Sequence, residues 1–362
     1  MNSSIEQINA NIANLRLINQ QISQTVYTTP NQIVSHFGMM QAQDFNSAKW
    51  AIGLRLNGCT EKTVIESFNK GEILRTHVMR PTWHLVTPEN IRWMLQLSAK
   101  RIMQSMKSRD RDLGLNDEIY GKGYRIIEKA LEKEDYLTRE ELTEIFHNTG
   151  MKFNSSQMYH IITGAEVNRI ICSGVLREKN QTYTLLEKRV PATQPLTKEE
   201  SLAKLARMYF SGHGPATLQD FVWWSGLPIS EARQGLQAVQ SEFVSETVNG
   251  QTYRMPVCHC GLDLQSHSNR RNISLHLLPA FDEFIVGYKD RTAAIISENH
   301  TKAISNNGVF RPVIVKDGRV IGLWKKGTSA KKIITVSPFE PIDDATQQLI
   351  DTATEKLRMF FE

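Results

Sequence analysis

The chain has 362 residues, of which 40% are hydrophobic and 22% are charged. This length is too great for one small domain, and the composition excludes a disordered or fibrous protein. The formal net charge is +5, no apolar run is long enough to cross a bilayer, and the polar first residues lack the apolar core of a secretion signal. With four cysteines, too few for a disulfide framework, we expect a cytoplasmic protein with no membrane partner.

The N-terminal segment, which we predict as a domain over residues 1–115, begins with two helical stretches, INANIANLRLINQQI and TPNQIVSHFG. The break MMQAQ follows, and Asp44 or Asn46 is placed to cap the next helix. Residues 60–74 predict one more helix, and VMRPTWHLV reads as a strand.

Residues 116–190 form the clearest unit of the sequence. Thr138 and Glu141 have the spacing of a capping box at the start of a helix. The apolar stripe of QMYHIITGAEVNRIICSG predicts a second helix that ends at Gly174. VLREKNQTYTLL then predicts a hairpin with its tip at residues 179–181. Helices followed by a β-hairpin are the plan of a winged helix.

Residues 195–257 repeat this plan after a linker at 190–196. SLAKLARMYF predicts a helix, Thr217 is placed to cap the next one, and Asn249–Gly250 marks the turn of a hairpin. The N-terminal segment is a looser third copy.

After residue 258 the pattern changes to β, with ISLHLLPAF, EFIVGY, VFRPVIV and RVIGLWKK as strand candidates and Asp317–Gly318 as a hairpin turn. We therefore predict a β-rich C-terminal region over residues 258–362. The predicted fold class is α+β, built from tandem winged-helix units.

Positive charge is concentrated in residues 98–111 and 316–332, and the second segment holds Lys325 and Lys326 beside Trp324. Clustered cations around an aromatic side chain are typical of a surface that binds a phosphate backbone. A solvated helix face and a hairpin rim are the alternative interpretations.

The break MMQAQ contains the most informative residues of the chain. Because it lies between two helices we expect it to be extended, so that Gln41 and Gln43 face one spot while Ala42 turns toward the core. Two carboxamides on one face are able to hold a water molecule through their acceptor and donor groups. The alternative is a polar loop whose amides bond to the backbone.

Five segments carry a resemblance to a known family: MMQAQDFNSAKWAIGLRL, MRPTWHLVTPENIRWML, GHGPATLQDFVWWSGL, LLPAFDEFIVGYKDR and NGVFRPVIVKDGRVIGLW. In this order they resemble the winged-helix HTH_42 family and are most similar to its AlkZ-like DNA glycosylases. The resemblance implies excision of alkylated bases, including those in interstrand crosslinks, by a C-shaped array of winged helices around a basic cleft. One branch of the family has Gln-apolar-Gln and another Gln-apolar-Asp. Because its third position is Gln43, this chain resembles the first branch more than the second.

Glutamine chemistry restricts the lesion that such a site is able to cut. A carboxamide does not titrate, so it is neither a general acid nor a strong base. A purine alkylated at N7 or N3 already carries positive charge and leaves as a neutral molecule. We therefore predict Gln41 and Gln43 as catalytic residues of a monofunctional glycosylase acting on such purines in double-stranded DNA, as a monomer and without a cofactor. The alternative is a non-catalytic winged-helix regulator, which would bind one undamaged sequence, usually as a dimer.

Arg80, Thr82 and His84 share a face if their segment is a strand, and we predict that they contact DNA. The alternative for His84 is a hydrogen-bonded histidine of the core.

Lys289 and Arg291 are further predicted DNA contacts, and they follow the acidic pair Asp282 and Glu283. The two acids are candidate accessory groups for catalysis. The alternative that we favour makes them salt-bridge partners of Lys289 and Arg291.

A metal site is not predicted. Cys258-His259-Cys260 with His267 lacks the usual zinc spacing and a convincing fourth ligand.

Overall fold

The structure is a computed structural model that describes residues 2–257, 273–329 and 332–362. The chain divides into two compact units. One, which we call the terminal unit, consists of Met1–Val64 and Leu202–Glu362, and the other, the central unit, consists of Ile65–Ser201. The second boundary follows shortly after the predicted linker at 190–196, while the division into four segments stays a prediction.

The described elements, in chain order, are α1 (Asn2–Asn19), α2 (Pro30–Phe37), β1 (Met39–Gln41), α3 (Phe45–Gly53), α4 (Glu61–Lys70), β2 (Leu74–His77), β3 (Trp83–Val86), α5 (Pro88–Asp112), α6 (Asp117–Lys133), β4 (Leu137–Thr138), α7 (Arg139–Asn148), α8 (Ser155–Val167), β5 (Ile171–Arg177), β6 (Asn180–Leu185), α9 (Leu186–Arg189), α10 (Lys198–His213), α11 (Leu218–Ser225), α12 (Ile229–Val239), β7 (Phe243–Val248), β8 (Gln251–Pro256), β9 (Leu275–Leu278), α13 (Glu283–Val286), α14 (His300–Ala303), β10 (Val313–Lys316), β11 (Arg319–Ser329), β12 (Lys332–Pro338) and α15 (Asp344–Phe361). This mixture of helices and sheets confirms the predicted α+β class.

The central unit is organised around the helices α6, α7 and α8 and a small sheet of strand order β4-β6-β5. The predicted capping box at α7 is confirmed, because the Thr138 side chain accepts from the backbone N–H of Glu141 and the Glu141 side chain accepts from that of Thr138. Apolar faces of the three helices meet in one core, which includes Ile127, Phe146 and Ile161.

The predicted end of α8 at Gly174 was wrong. The helix ends at Val167, Arg169 takes a left-handed conformation (φ 64°), and Ile171 begins β5. The run of apolar residues after the helix therefore belongs to the hairpin, whose turn lies between Arg177 and Asn180, near the start of the predicted tip.

In the terminal unit, α10, α11 and α12 are followed by the hairpin of β7 and β8. Thr217 caps α11 as predicted, since its side chain accepts from the backbone N–H of Asp220. The hairpin turns at Asn249 (φ 50°) and Gly250 (φ 75°), the backbone geometry that this residue pair favours. In both units, helices are followed by a hairpin in the predicted order. That these units are tandem winged helices stays a prediction.

The C-terminal part of the terminal unit contains an antiparallel sheet of order β12-β11-β10-β9. The turn at Asp317–Gly318 joins β10 to β11 as predicted. EFIVGY, predicted as a strand, instead begins with the short helix α13, because the Asp282 side chain accepts from the backbone N–H of Phe284 and caps it. The C-terminal region also ends in the helix α15, so it is less β-rich than predicted. The Phe360 ring of α15 packs 5.1 Å from the ring of Trp50.

Within the described parts of the chain, no helix combines the length and the apolar character needed to span a membrane.

Candidate active site

The glutamine motif lies at the end of a short strand in the terminal unit. Gly38 ends α2 with a positive φ of 79°, β1 follows, and the Asp44 side chain caps α3 by accepting from the N–H groups of Asn46 and Ser47. Between these two helix ends Gln41 belongs to the strand and Gln43 follows it. Ala42 is fully buried, as the sequence predicted.

The two glutamines differ in their exposure to solvent. Gln41 is 7% exposed, whereas Gln43 is exposed. They are also joined, because Oε1 of Gln41 accepts a hydrogen bond of 3.2 Å from the backbone N–H of Gln43. The carboxamide of Gln41 therefore folds over the backbone that carries Gln43, and its oxygen retains a second lone pair. That both side chains face one spot stays a prediction.

Glu283 holds the backbone of this motif. Its Oε1 accepts from the backbone N–H of Gln41 at 2.7 Å, and its Oε2 accepts from Nε1 of Trp224 at 3.1 Å. Nε2 of His213 lies 3.2 Å from the same Oε2. His213 donates in this contact if Glu283 is ionised, because a carboxylate oxygen only accepts. Glu283 is 2% exposed, so the motif is anchored to a buried acid.

The adjacent acid, Asp282, forms a buried bidentate pair with Arg55, with two hydrogen bonds of 2.8 Å. The favoured prediction that Asp282 pairs with Lys289 or Arg291 was therefore wrong about its partner. The cation that pairs with Asp282 is Arg55, which lies just after the end of α3.

Lys289 and Arg291 follow α13 at the surface. Lys289 is exposed, and its backbone N–H donates to Asp220 at 2.9 Å. The guanidinium of Arg291 donates to the backbone oxygen of Ile285 and lies 5.1 Å from the ring centroid of Trp223 and 5.0 Å from that of Phe310. Their predicted contacts with DNA stay predictions.

The segment VMRPTWHLV, predicted as one strand, forms the connection and the second strand of a hairpin in the central unit. β2 pairs with β3, which starts only at Trp83, and Met79 in the connection has a positive φ of 62°. Arg80 and Thr82 therefore precede the strand, and the expectation that a strand places them on one face with His84 was wrong.

His84 is fully buried. Its Nδ1 lies 2.9 Å from the backbone oxygen of Thr82 and its Nε2 lies 3.5 Å from the Arg80 guanidinium. Burial, with a smaller effect of Arg80, lowers the pKa of His84 well below its ordinary value. Its position fits the alternative of a hydrogen-bonded core histidine, while the contacts of Arg80, Thr82 and His84 with DNA stay predictions.

Lys325 and Lys326 are exposed residues of β11, opposite Thr335 and Ile334 of β12. Neighbouring residues of a strand point to opposite faces. The ammonium group of Lys326 lies 4.2 Å from the ring of Phe361. The cysteines and histidines considered for a metal, at positions 258–260 and 267, lie outside the described residues.

Sequence reasoning missed Arg55, His213 and Trp224 as neighbours of the acidic pair. Two of them lie in the segment GHGPATLQDFVWWSGL, which carried the resemblance to a family but no predicted site residue. A buried acid requires partners. The two adjacent acids within an apolar run were therefore the available signal that such partners exist, but the sequence does not indicate which residues they are.

The profile of the family described as "DNA glycosylase AlkZ-like" matches residues 34–360. The chain belongs to the AlkZ-like DNA glycosylase family. Among curated relatives of this glycosylase is the "Interstrand DNA cross-link repair glycosylase" of Streptomyces sahachiroi, 23% identical over 352 residues, with 94% of this chain and 92% of the relative covered. The solved structure of Streptomyces sahachiroi DNA glycosylase AlkZ shares the fold, with a TM-score of 0.79, 20% identity and coverage of 97% of this chain and 95% of that chain.

Membership in this family makes the chain a hydrolase of N-glycosidic bonds in DNA. The alternative of a non-catalytic regulator is thereby set aside.

Proposed function

We propose that this AlkZ-like glycosylase excises purines that alkylation at N7 or N3 has made cationic, and that Gln41 and Gln43 position the attacking water. The observation that carries the proposal is the pair of neutral carboxamides at the end of β1, with Oε1 of Gln41 bonded to the backbone of Gln43. Neither side chain titrates. The pair is therefore suited to a substrate that leaves without being protonated.

The reaction breaks the bond between C1′ of the sugar and the purine nitrogen. The bonding electrons leave with the base, which becomes neutral because it was cationic before. Water adds its oxygen to C1′ and releases a proton to solvent. The protein's task is then to place the water and to stabilise the positive charge that develops on the sugar, which positioned dipoles accomplish.

The two carboxamides have separate tasks in this scheme. The exposed Gln43 directs its carbonyl oxygen at the water. The buried Gln41 fixes the shape of the turn through its bond to the N–H of Gln43, and its second lone pair is available to the same water. A fixed acceptor costs less reorganisation during the reaction than a mobile one.

For DNA binding, we propose that the helix and hairpin units are tandem winged helices that grip the backbone of double-stranded DNA. The lysines of β11 and the basic surface of α5 supply charge for this contact. A relative's name refers to interstrand crosslink repair. We propose that bulky and crosslinked N7 adducts are substrates here too, and that the protein acts as a monomer.

The test is incubation with duplex DNA that contains N7-methylguanine, followed by hot alkali, which breaks the strand at each abasic site. We expect breaks with the wild type and their loss in Gln41→Ala and Gln43→Ala. A duplex with uracil should stay intact, because that base is neutral. Equal cutting of uracil would refute the assignment to cationic lesions, and full activity of both variants would refute the role of the glutamines.

A further inference from the structure

The carboxylate of Glu283 connects α13 to three other elements of the terminal unit. It belongs to α13, accepts from the backbone N–H of Gln41 in β1 at 2.7 Å, and accepts from the indole N–H of Trp224 in α11 at 3.1 Å. A third group, Nε2 of His213 in α10, lies 3.2 Å from it. With 2% exposure, this acid is a buried junction and not a surface group.

We propose that Glu283 is a positioning residue for base excision, which acts by fixing the backbone of Gln41. The inference rests on the proposed role of Gln41 and Gln43. It assigns to Glu283 a part in the reaction without contact with the substrate.

Two consecutive hydrogen bonds carry this argument. Glu283 holds the N–H of Gln41, and Oε1 of Gln41 in turn accepts from the N–H of Gln43. The first bond is the shorter of the two, at 2.7 Å against 3.2 Å. A shift of Gln41 would therefore move both carboxamides. Misplacement of a catalytic group by about 1 Å is able to cost on the order of 100-fold in rate.

The same contacts argue against Glu283 as a general base. A carboxylate has about four acceptor sites, and the groups at Glu283 include the N–H donors of Gln41 and Trp224 and the Nε2 atom of His213. A general base must direct a lone pair at the water that it deprotonates. The Nδ1 atom of His213 has no hydrogen-bond partner within the described parts of the chain, so His213 passes no proton onward through that atom to another described side chain.

The experiment compares Glu283→Gln with the wild type in single-turnover excision of N7-methylguanine. The neutral amide retains one acceptor oxygen but directs an NH₂ group at the other donors. We expect excision to slow by about 10- to 100-fold, with unchanged affinity for a duplex that contains a tetrahydrofuran abasic analogue. Because no proton transfer is lost, the pH profile of the rate should keep its shape.

A matched control is Tyr209→Phe. The Tyr209 hydroxyl donates to the backbone oxygen of Gly287, directly after α13, at 2.9 Å, so its loss weakens the same short helix without changing an atom that bonds to Gln41. We expect a lower melting temperature and an excision rate close to that of the wild type. Glu283→Asp is the second variant if Glu283→Gln does not fold. It keeps the charge but withdraws the carboxylate from Gln41, and the same loss of rate is expected.

Three results would overturn the inference. The first is a wild-type rate in a folded Glu283 variant while Gln41→Ala and Gln43→Ala are inactive; the proposed function then survives without it. The second is loss of the acidic limb of the pH profile in Glu283→Gln, which indicates a general base. The third is wild-type activity of both glutamine variants, which removes the proposed function itself.

Discussion

Asp282 and Arg55 lie 227 residues apart in the sequence and meet through two hydrogen bonds of 2.8 Å, with both side chains fully buried. The remaining N–H groups of Arg55 donate to Ala51 and to the backbone and side chain of Gln20, so all five donors of the guanidinium are used. Asp282 also caps α13. The ion pair thus fixes the start of the helix that carries Glu283.

The first prediction concerns the stability that this pair provides. Asp282→Asn leaves a buried guanidinium without its counter-charge, and removal of one partner from a buried pair costs about 3–5 kcal/mol. We expect the free energy of unfolding to fall by that amount in urea titrations.

Glu187→Gln is the matched control for this measurement. Arg92 and Glu187 form the same bidentate geometry, at 2.8 and 2.9 Å, but the Glu187 side chain is 71% exposed. Exposed pairs contribute about 0–1 kcal/mol. Similar losses in the two variants would show that burial does not determine the effect.

The second prediction compares two substitutions at Gln43. Gln43→Asp retains a carbonyl-type acceptor at a nearby position. Gln43→Ala has no acceptor. We expect Gln43→Asp to excise N7-methylguanine within about 10-fold of the wild type and Gln43→Ala to lose roughly 100-fold or more, in line with the loss of a positioned polar group.

Gln348→Ala in α15 is the control for these variants because Gln348 is exposed and belongs to no predicted site. Single-turnover rates decide the comparison. Equal loss in the aspartate and alanine variants would mean that the amide itself, and not an acceptor, is required.

Local chemistry made part of the fold predictable. The caps at Thr138 and Thr217 and the turn at Asn249–Gly250 each depend on residues within four positions of one another, and the structure has all three. The extended break at Gln41 between two helices was predictable for the same reason. In these places the sequence contains both halves of the interaction side by side.

Local sequence patterns could not predict the helix α13 or the hydrogen bond from Gln41 to Glu283 that anchors the glutamine motif. EFIV has the apolar run of a strand, and its helical form depends on Asp282, which Arg55 holds from 227 residues away. The bond from Gln41 to Glu283 spans 242 residues. The acids stand in an apolar run of the sequence, but only the tertiary structure supplies their partners.

The third prediction concerns acid stability and His36. Burial lowers the pKa of His36 from 6.5 to about 4, with a smaller opposing effect of its bond to Asn19. The imidazole bonds to the backbone oxygen of Asn19 at 2.7 Å and to the Tyr27 hydroxyl at 3.1 Å. Between pH 6.5 and 4 the unfolded chain binds the proton more readily, so acidification favours unfolding, and the loss approaches about 3 kcal/mol below pH 4.

His36→Gln should therefore flatten the fall in unfolding free energy between pH 7 and 4, whatever it does to stability at pH 7. The wild type, titrated over the same pH range, supplies the comparison. An unaltered slope in His36→Gln would show that another group causes the acid lability.

The fourth prediction tests whether Lys325 and Lys326 of β11 contact DNA phosphates. Each contact releases counterions, so the logarithm of the binding constant falls with the logarithm of salt concentration by about 0.9 per phosphate. We expect Lys325→Gln to reduce this slope by about 0.9. Lys326→Gln should reduce it less, because that ammonium group already lies over the Phe361 ring.

Lys129→Gln provides the baseline for these titrations, since Lys129 is an exposed residue of α6 outside both basic segments. It should leave the slope unchanged. If Lys325→Gln and Lys129→Gln give the same slope as the wild type, β11 does not neutralise phosphate. The charge that holds the DNA must then come from elsewhere, and the basic surface of α5 becomes the next segment to neutralise, because Lys100, Lys107, Arg109 and Arg111 are all exposed there.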